Sequence, residues 1–161
     1  MSMYHRLLVP LDGSATAERG VGEAIGLAAE QKATLCLLHV VDDFPMLMQM
    51  TSALDFEETM KDVRQYCESL LAKAKSTAAE AGVQADTLLR RVTHQRAGEV
   101  IVDEARRTGC DLIVMGTHGR RGFSLLTMGS EAQLVVRTSP VPVLLVRLAE
   151  PKREPVEGAK P

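Results

Sequence analysis

The stretch CDLIVMGTHGRRGFSLLTMGS, residues 110–130, runs from an apolar segment into a glycine-rich basic loop and ends where an amphipathic segment begins. A short apolar run bounded by turn residues is typical of a buried strand. The amphipathic run that follows, residues 128–138, has the length and pattern of a short helix. The stretch therefore predicts a strand, a loop and a helix in succession, as in a βαβ unit.

The same alternation extends over the rest of the chain. Apolar runs of strand length separated by longer amphipathic runs predict an α/β fold with a parallel sheet. Ser14 and Asp55 are predicted as helix N-caps, and Gly82 and Gly109 as helix ends. The predicted strands are 4–11, 33–41, 85–92, 110–116 and 141–146, and the predicted helices are 15–31, 55–82, 97–108 and 128–138.

The least apolar strand is the third, which contains Arg90 and Arg91. Strands covered on both faces read as continuous apolar runs, so this strand is placed at an edge. Right-handed crossovers then predict a single doubly wound five-stranded parallel sheet with strand order 3-2-1-4-5 and helices on both faces. A ligand crevice is expected where the order reverses, at the carboxyl ends of strands 1 and 4.

Composition narrows the class of protein. The chain has 161 residues and a net charge of −2, so we expect one domain over residues 1–148 and neither a nucleic-acid nor a membrane partner. Residues 149–161 are rich in Pro, Glu and Lys and are predicted to be a disordered tail. Three cysteines without paired spacing, and a start without a secretory signal pattern, indicate a cytoplasmic protein.

Two groups of residues meet at the expected crevice. Asp12 follows strand 1, where it caps the turn, accepts hydrogen bonds from a ribose or adenine, or helps to hold a cation. Gly116 and Gly119 follow strand 4, and Gly129 and Ser130 open the last helix. Glycines allow positive φ or close approach of a ligand to the backbone, and a helix N-terminus binds anions. With Arg120 and Arg121 beside them, these residues predict a polyphosphate site.

Other motifs are interpreted as structural. Gly20, Gly22 and Gly26 have the wrong spacing and position for a dinucleotide fingerprint, so we expect them to pack a helix against the sheet. No P-loop sequence is present. Three histidines near strand ends, His39, His94 and His118, lack a ligand pair at metal-binding spacing, so no dedicated metal site is predicted.

The spacing G-x2-G-x9-G-S over residues 116–130, with VPLDGS after strand 1 and PVPVLLV at strand 5, resembles the universal stress protein family over residues 3–147. The resemblance implies the branch of the family that binds ATP. It places the triphosphate against Gly119, Arg120, Gly129 and Ser130, and the ribose and neighbouring phosphates near Asp12 and Gly116. Arg121 and His118 border the same loop. Adenine is then expected near Pro10, Leu11, Val41 and Met115, although strand 2 also offers Val40.

The resemblance implies an adenine-nucleotide-binding regulatory protein with ATP, AMP, ADP or cAMP as ligand, and Mg²⁺ or Mn²⁺ accompanying it. Slow ATP hydrolysis or self-phosphorylation on Ser130 or Thr117 is the enzymatic alternative. A phospho-receiver domain is disfavoured, because Thr93-His94-Gln95 and Arg147 stand where that chemistry needs a carboxylate and a lysine.

Two interaction surfaces are also expected. VPVLLV is apolar although it lies at a sheet edge, which predicts a homodimer through strand 5, as the resemblance also implies. The methionine-rich segment 42–54 is either an ordinary loop or a lid that contacts an unknown regulatory partner.

Overall fold

The structure, a computed structural model, describes residues 1–43, 45, 48, 53–118 and 128–148. Its strands form one parallel sheet in the order β3-β2-β1-β4-β5, which confirms the predicted fold class and strand order. The strands are β1 (Arg6–Pro10), β2 (Thr34–Asp42), β3 (Ala85–Val92), β4 (Leu112–Gly116) and β5 (Val143–Val146), and the helices are α1 (Ala15–Gln31), α2 (Ala53–Glu80), α3 (Ala97–Arg107) and α4 (Ser130–Thr138).

Helices cover both faces of the sheet because the central strands are apolar on both sides. In β1, Leu7 and Val9 face α1 and α2, whereas Leu8 faces α3 and α4, and all three are fully buried. Each face carries its own cluster of buried side chains. The two clusters hold the carboxyl ends of β1 and β4 side by side, since these strands are direct neighbours.

Helix ends follow the predicted capping signals with one exception. Ser14 Oγ accepts a hydrogen bond from the Ala17 N–H at 3.2 Å, and Gly82 and Gly109 have positive φ just beyond helix ends. The prediction of Asp55 as an N-cap is wrong, because α2 begins at Ala53 and places Asp55 in its first turn. An acidic residue is favourable there also, which explains the misassignment.

The edge position of β3 is confirmed, and its arginines have defined partners. Arg90 Nε donates to Glu104 on α3 at 2.6 Å, and the Glu104 side chain is only 3% exposed. Arg91 pairs with the buried carboxylate of Asp43. Burial raises the pKa of Asp43, but hydrogen bonds from Arg91 and Thr93 outweigh it and hold that pKa below its usual value. The arginines of this strand thus neutralise carboxylates that the fold buries.

The three glycines of α1 do not share one role. Gly20 packs against β4, where an added Cβ would lie 3.6 Å from the Gly116 nitrogen. Gly22 and Gly26 are exposed and have open space around them, so the expectation that all three pack against the sheet is wrong for these two. The helix turns by about 100° per residue, and only Gly20 lies on the buried face.

Two regions named in the sequence analysis lie largely outside the described residues. The tail, 149–161, is one of them, and its disorder remains a prediction. Within 42–54, Asp42 ends β2, Asp43 is buried, and Met48 is exposed. No helix in the described part of the chain has the length and apolar character needed to cross a membrane.

The amino-terminal edge of the sheet depends on Asp111. Its carboxylate accepts the backbone N–H groups of His5 at 2.9 Å and Arg6 at 3.1 Å. Burial raises the pKa of Asp111, but these hydrogen bonds more than offset burial and hold it below the usual value. A carboxyl whose pKa is lowered by folding stabilises the native state above its unfolded pKa, and this stabilisation is lost as pH falls through the folded pKa.

We therefore expect Asp111→Asn to lower the free energy of unfolding at neutral pH. The difference from wild type should shrink below about pH 4, near the ordinary pKa of aspartate, as the wild-type carboxyl becomes protonated. Urea denaturation of both proteins between pH 7 and pH 3 measures this. A difference that stays constant over that range would contradict the role assigned to the charge.

Candidate functional site

The candidate site lies at the carboxyl ends of the neighbouring strands β1 and β4, where α1 and α4 begin. The helix α1 follows β1 after a short turn, and α4 follows β4 after the glycine-rich loop. In open α/β sheets this is the position where the strand order reverses and a crevice forms. The fold thus brings Asp12, Gly116, Gly129 and Ser130 to one end of the sheet.

After β1, the chain is held by two hydrogen bonds. The Leu11 carbonyl accepts from Nδ1 of the buried His39 at 2.6 Å, and the Leu11 N–H donates to Leu38. Asp12 Oδ1 accepts the Ser14 N–H at 2.9 Å, across Gly13 with φ of +80°. Asp12 therefore does cap the turn with one oxygen, and this turn fixes its carboxylate at the start of α1.

After β4, Gly116 allows α1 to approach the sheet. A Cβ on Gly116 would lie 2.8 Å from Thr16 Cγ2 and 3.1 Å from the Thr16 backbone carbon. The residue does not have positive φ. Its glycine is explained by contact with a protein atom, so the expected role in approach of a ligand gains no support from these contacts.

The peptide groups of Thr117 connect the two sides of the glycine-rich loop. Its carbonyl accepts the Gly129 N–H at 2.8 Å, and its own N–H donates to the Val146 carbonyl of β5 at 3.0 Å. A Cβ on Gly129 would lie 3.1 Å from that same Thr117 oxygen. Gly129 has φ of −60°, so a close approach and not a positive φ accounts for glycine here.

The N-terminus of α4 has no side-chain cap among the described residues. Gly129 is the N-cap and, having no side chain, leaves the first turn without a side-chain cap. The first N–H groups of a helix have no intrahelical acceptor, and they carry the positive end of the helix dipole. Ser130 is exposed at the first helical position, where its hydroxyl lies beside these groups.

A charged pair borders this helix end. Glu131 Oε2 accepts the Gly98 N–H of α3 at 2.6 Å, and Oε1 accepts Arg96 Nη2 at 2.9 Å. Arg96 also donates to the Ser130 carbonyl at 3.2 Å. The Glu131 carboxylate is therefore directed towards α3 and paired with Arg96.

His118 presents a buried nitrogen at the same place. Its Nδ1 lies 3.0 Å from the Thr117 hydroxyl, and its Nε2 is buried without a hydrogen-bond partner among the described residues. In the tautomer that carries its hydrogen on Nε2, the Thr117 hydroxyl donates to Nδ1. In that tautomer Nε2 is a buried donor that no described residue satisfies, and a buried donor without an acceptor is costly.

The four predicted adenine contacts divide between the two faces of the sheet. Met115 belongs to the cluster under α3 and α4, and Val40 packs against the same cluster. Val41 alternates to the other face, as does Leu11, which belongs to the cluster under α1 and α2. Pro10 is half-buried at the end of β1. Val40 therefore lies on the Met115 face, and Val41 does not.

Three predicted site residues, Gly119, Arg120 and Arg121, lie outside the described residues. His39 is buried and hydrogen-bonded to the Leu11 carbonyl, whereas His94 is exposed after β3, so these two histidines have different environments. Among the described residues no three His, Cys, Asp or Glu side chains are grouped so that they could hold a metal ion.

Comparison with known proteins decides the family. A family model described as "Universal stress protein family" matches residues 3–147. The chain belongs to the universal stress protein family. Universal stress protein YxiE of Bacillus subtilis is 31% identical over 151 residues, which cover 90% of this chain and all of that relative.

Solved universal stress proteins agree in fold. A family member from Burkholderia pseudomallei is 32% identical with a TM-score of 0.74, and covers 92% of this chain and 99% of its own. A universal stress protein solved in complex with cAMP is 25% identical with a TM-score of 0.63, and covers 91% of this chain and 98% of its own.

Sequence reasoning did not identify Arg96 or Glu131 at this site. Arg96 lies before α3, and it reaches α4 only because the two helices pack side by side. The available sequence signal was Glu131, the acidic residue in the first turn of α4. An acid at this position either interacts with the dipole of its own helix or caps the N-terminus of a neighbouring helix. The local sequence does not distinguish these two roles.

Proposed function

We propose that this universal stress protein is a cytoplasmic adenine-nucleotide-binding regulatory protein, with ATP as its ligand. The observation that carries the proposal is the buried Nε2 of His118, which has no partner in the described part of the chain. The Cα of His118 lies 3.6 Å from the position of a Cβ added to Gly129, the N-cap of α4. A phosphate oxygen supplies the acceptor that this donor lacks, and helix N–H groups stabilise the same charge.

The nucleotide is assigned in two parts. The phosphates are assigned to the start of α4, against Gly129 and Ser130, and Gly119, Arg120 and Arg121 are the further phosphate contacts expected from the sequence. The ribose lies near Asp12, whose carboxylate the Ser14 N–H holds in place. Both parts meet at the carboxyl ends of β1 and β4, where a nucleotide extends from one strand end to the other.

Adenine as the base is supported by the relative solved with cAMP, which has the same fold over most of its length. In this chain the base is assigned to the end of the sheet near Pro10, Leu11, Val41 and Met115. Because Val40 and Met115 share a face, Val40 replaces Val41 if the ring lies on that side. Mg²⁺ or Mn²⁺ would enter with the triphosphate, whose oxygens are ligands that these cations prefer.

ATP should stabilise the folded protein, since the two strand ends and the start of α4 come together only in the native state. At 100 times the dissociation constant, ligand binding adds about 2.7 kcal/mol to the free energy of unfolding. For a domain of this size the melting temperature rises by roughly 5 to 10 °C. Thermal unfolding with ATP and Mg²⁺ measures the shift, with CTP as the control for base recognition.

An unchanged melting temperature up to millimolar ATP would contradict the proposal. An equal shift with CTP would agree with the proposed phosphate position but would contradict the assignment of adenine as the base. Parallel titrations with AMP and cAMP identify which nucleotide binds most tightly, and analysis of nucleotide that copurifies with the protein provides an independent test.

We further propose that the protein acts as a homodimer through β5. This strand ends the sheet and pairs, within the described residues, with β4 alone. Its Leu144 is 41% exposed, and Leu148 just beyond it is 38% exposed. An apolar edge strand is a site for pairing with another chain. A regulatory partner would then contact the segment 42–54, where Met48 is exposed.

A further inference from the structure

An acidic residue lies in the first turn of α4, the helix to whose N-terminus the phosphates are assigned. Glu131 follows Ser130 directly, and its side chain is 40% exposed. A carboxylate at a helix N-terminus interacts with the same dipole that stabilises an anionic ligand, and it repels that ligand. Phosphate binding at this helix end therefore depends on where the Glu131 charge is directed and on what neutralises it.

Both oxygens of Glu131 bind donors at the start of α3. Oε2 accepts the Gly98 N–H at 2.6 Å, and Oε1 accepts Arg96 Nη2 at 2.9 Å and Nε at 3.1 Å. Gly98 permits this approach, because an added Cβ there would lie 2.9 Å from Glu131 Oε2 and 3.1 Å from the Glu131 carbonyl oxygen. The close packing of α4 on α3 thus directs the carboxylate towards the neighbouring helix.

Arg96 neutralises this carboxylate. It is the N-cap residue of α3, and its Nη2 also donates to the Ser130 carbonyl at 3.2 Å, so the guanidinium contacts two consecutive residues of α4. Glu99 accepts the backbone N–H of Arg96 at 3.2 Å, so the two acids bind different groups of the arginine. A guanidinium remains charged at physiological pH and forms strong paired bonds to a carboxylate. Arg96 and Glu131 together therefore carry no net charge.

We propose that Arg96 is a specificity-determining residue, which raises the affinity of the site for a nucleoside triphosphate more than for a monophosphate. This inference rests on the proposed function, because it requires phosphate at the start of α4. Without Arg96, the Glu131 charge would repel the phosphates. The repulsion increases with the charge of the ligand, so neutralisation by Arg96 has its largest effect on ATP and its smallest on AMP.

Substitutions of the pair separate the charge of Arg96 from its hydrogen bonds. Arg96→Gln removes the charge and should weaken ATP binding by roughly fivefold and AMP binding by less than about twofold. Arg96→Lys keeps the charge but cannot form the paired bonds, and it should bind ATP within about twofold of wild type. Glu131→Gln keeps an acceptor for the Gly98 N–H, and combining it with Arg96→Gln should restore the wild-type affinity for ATP.

The test is calorimetric titration of each full-length variant with ATP, ADP and AMP, after circular dichroism has confirmed that the variant is folded. Titrations at about 0.05 M and about 0.5 M salt should show the loss in Arg96→Gln shrinking, because ions screen partly exposed charges. A purely structural role of Arg96 would not give this salt dependence. The matched control is Arg106→Gln, which removes the partner of Asp103 in the last turn of α3 and should bind ATP as wild type does.

The proposal is overturned if Arg96→Gln binds ATP as tightly as wild type, if it loses the same factor for AMP as for ATP, or if Glu131→Gln does not restore its affinity. Failure of the proposed function has a different signature, which titration with inorganic tripolyphosphate reveals. If wild type binds tripolyphosphate but not ATP, the assignment of adenosine is wrong, and Arg96→Gln should still bind tripolyphosphate more weakly than wild type. If wild type binds neither, both proposals are wrong.

Discussion

Gly129→Asp should abolish nucleotide binding and leave the sheet folded. The new carboxylate would lie at the N-cap of α4, where the phosphates are assigned. Two like charges about 4 Å apart repel by roughly 4 kcal/mol at an effective dielectric of 20, which is about a thousandfold in affinity. The backbone has φ of −60° and ψ of 151°, in which aspartate is a favourable N-cap, so the helix gains a cap.

The matched control is Gly129→Asn, which has nearly the same shape and no charge. Its Cβ would meet the Thr117 carbonyl oxygen at 3.1 Å as the aspartate does, so both variants require the same small adjustment. Calorimetric titration with ATP should give a much weaker affinity for the aspartate variant than for the asparagine variant. Equal affinities in two folded variants would show that no phosphate lies at this helix end.

Leu144→Asp should convert the protein to a monomer. The side chain is 41% exposed on an edge strand, and a symmetric dimer through β5 buries it in both copies. Loss of about 2 kcal/mol of apolar burial from each copy weakens the dimer by about 4 kcal/mol, or roughly a thousandfold. Light scattering at tens of micromolar measures the molar mass of each protein.

Leu54→Asp provides the control for this substitution. Leu54 is 83% exposed in the first turn of α2. This helix packs against β2 and β3, on the side of the sheet away from the β5 edge. This variant should retain the wild-type mass. A wild-type protein that is monomeric at tens of micromolar would refute the dimer outright.

The strand order could be predicted because a strand that is buried on both faces has a continuous apolar sequence, whereas an edge strand also contains charged residues. Leu7, Leu8 and Val9 form a continuous apolar run, since both faces of β1 are covered. Arg90 and Arg91 mark β3 as an edge because each requires an acidic partner or water. These signals are local, so they are readable without knowledge of the tertiary contacts.

The contacts of the candidate site were predicted less well, because they depend on residues far apart in the chain. Gly116 and Gly129 were recognised as positions that require glycine, but the sequence did not show that an added Cβ would meet Thr16 and Thr117 there. Cys36 and Cys110 look like separate small apolar residues in sequence, and the structure places both in the buried cluster under α3 and α4.

Thr117 connects the proposed nucleotide site to β5, the strand of the proposed dimer. Its carbonyl holds the first residue of the α4 cap, and its N–H holds Val146 at the end of β5. A shift of this residue in response to phosphate would alter the alignment of the edge strand on which the second copy docks. Nucleotide binding and dimer formation would then be linked, so the nucleotide affinities of monomer and dimer would differ by the same factor by which nucleotide changes the dimer affinity. The measured nucleotide affinity should therefore vary with protein concentration.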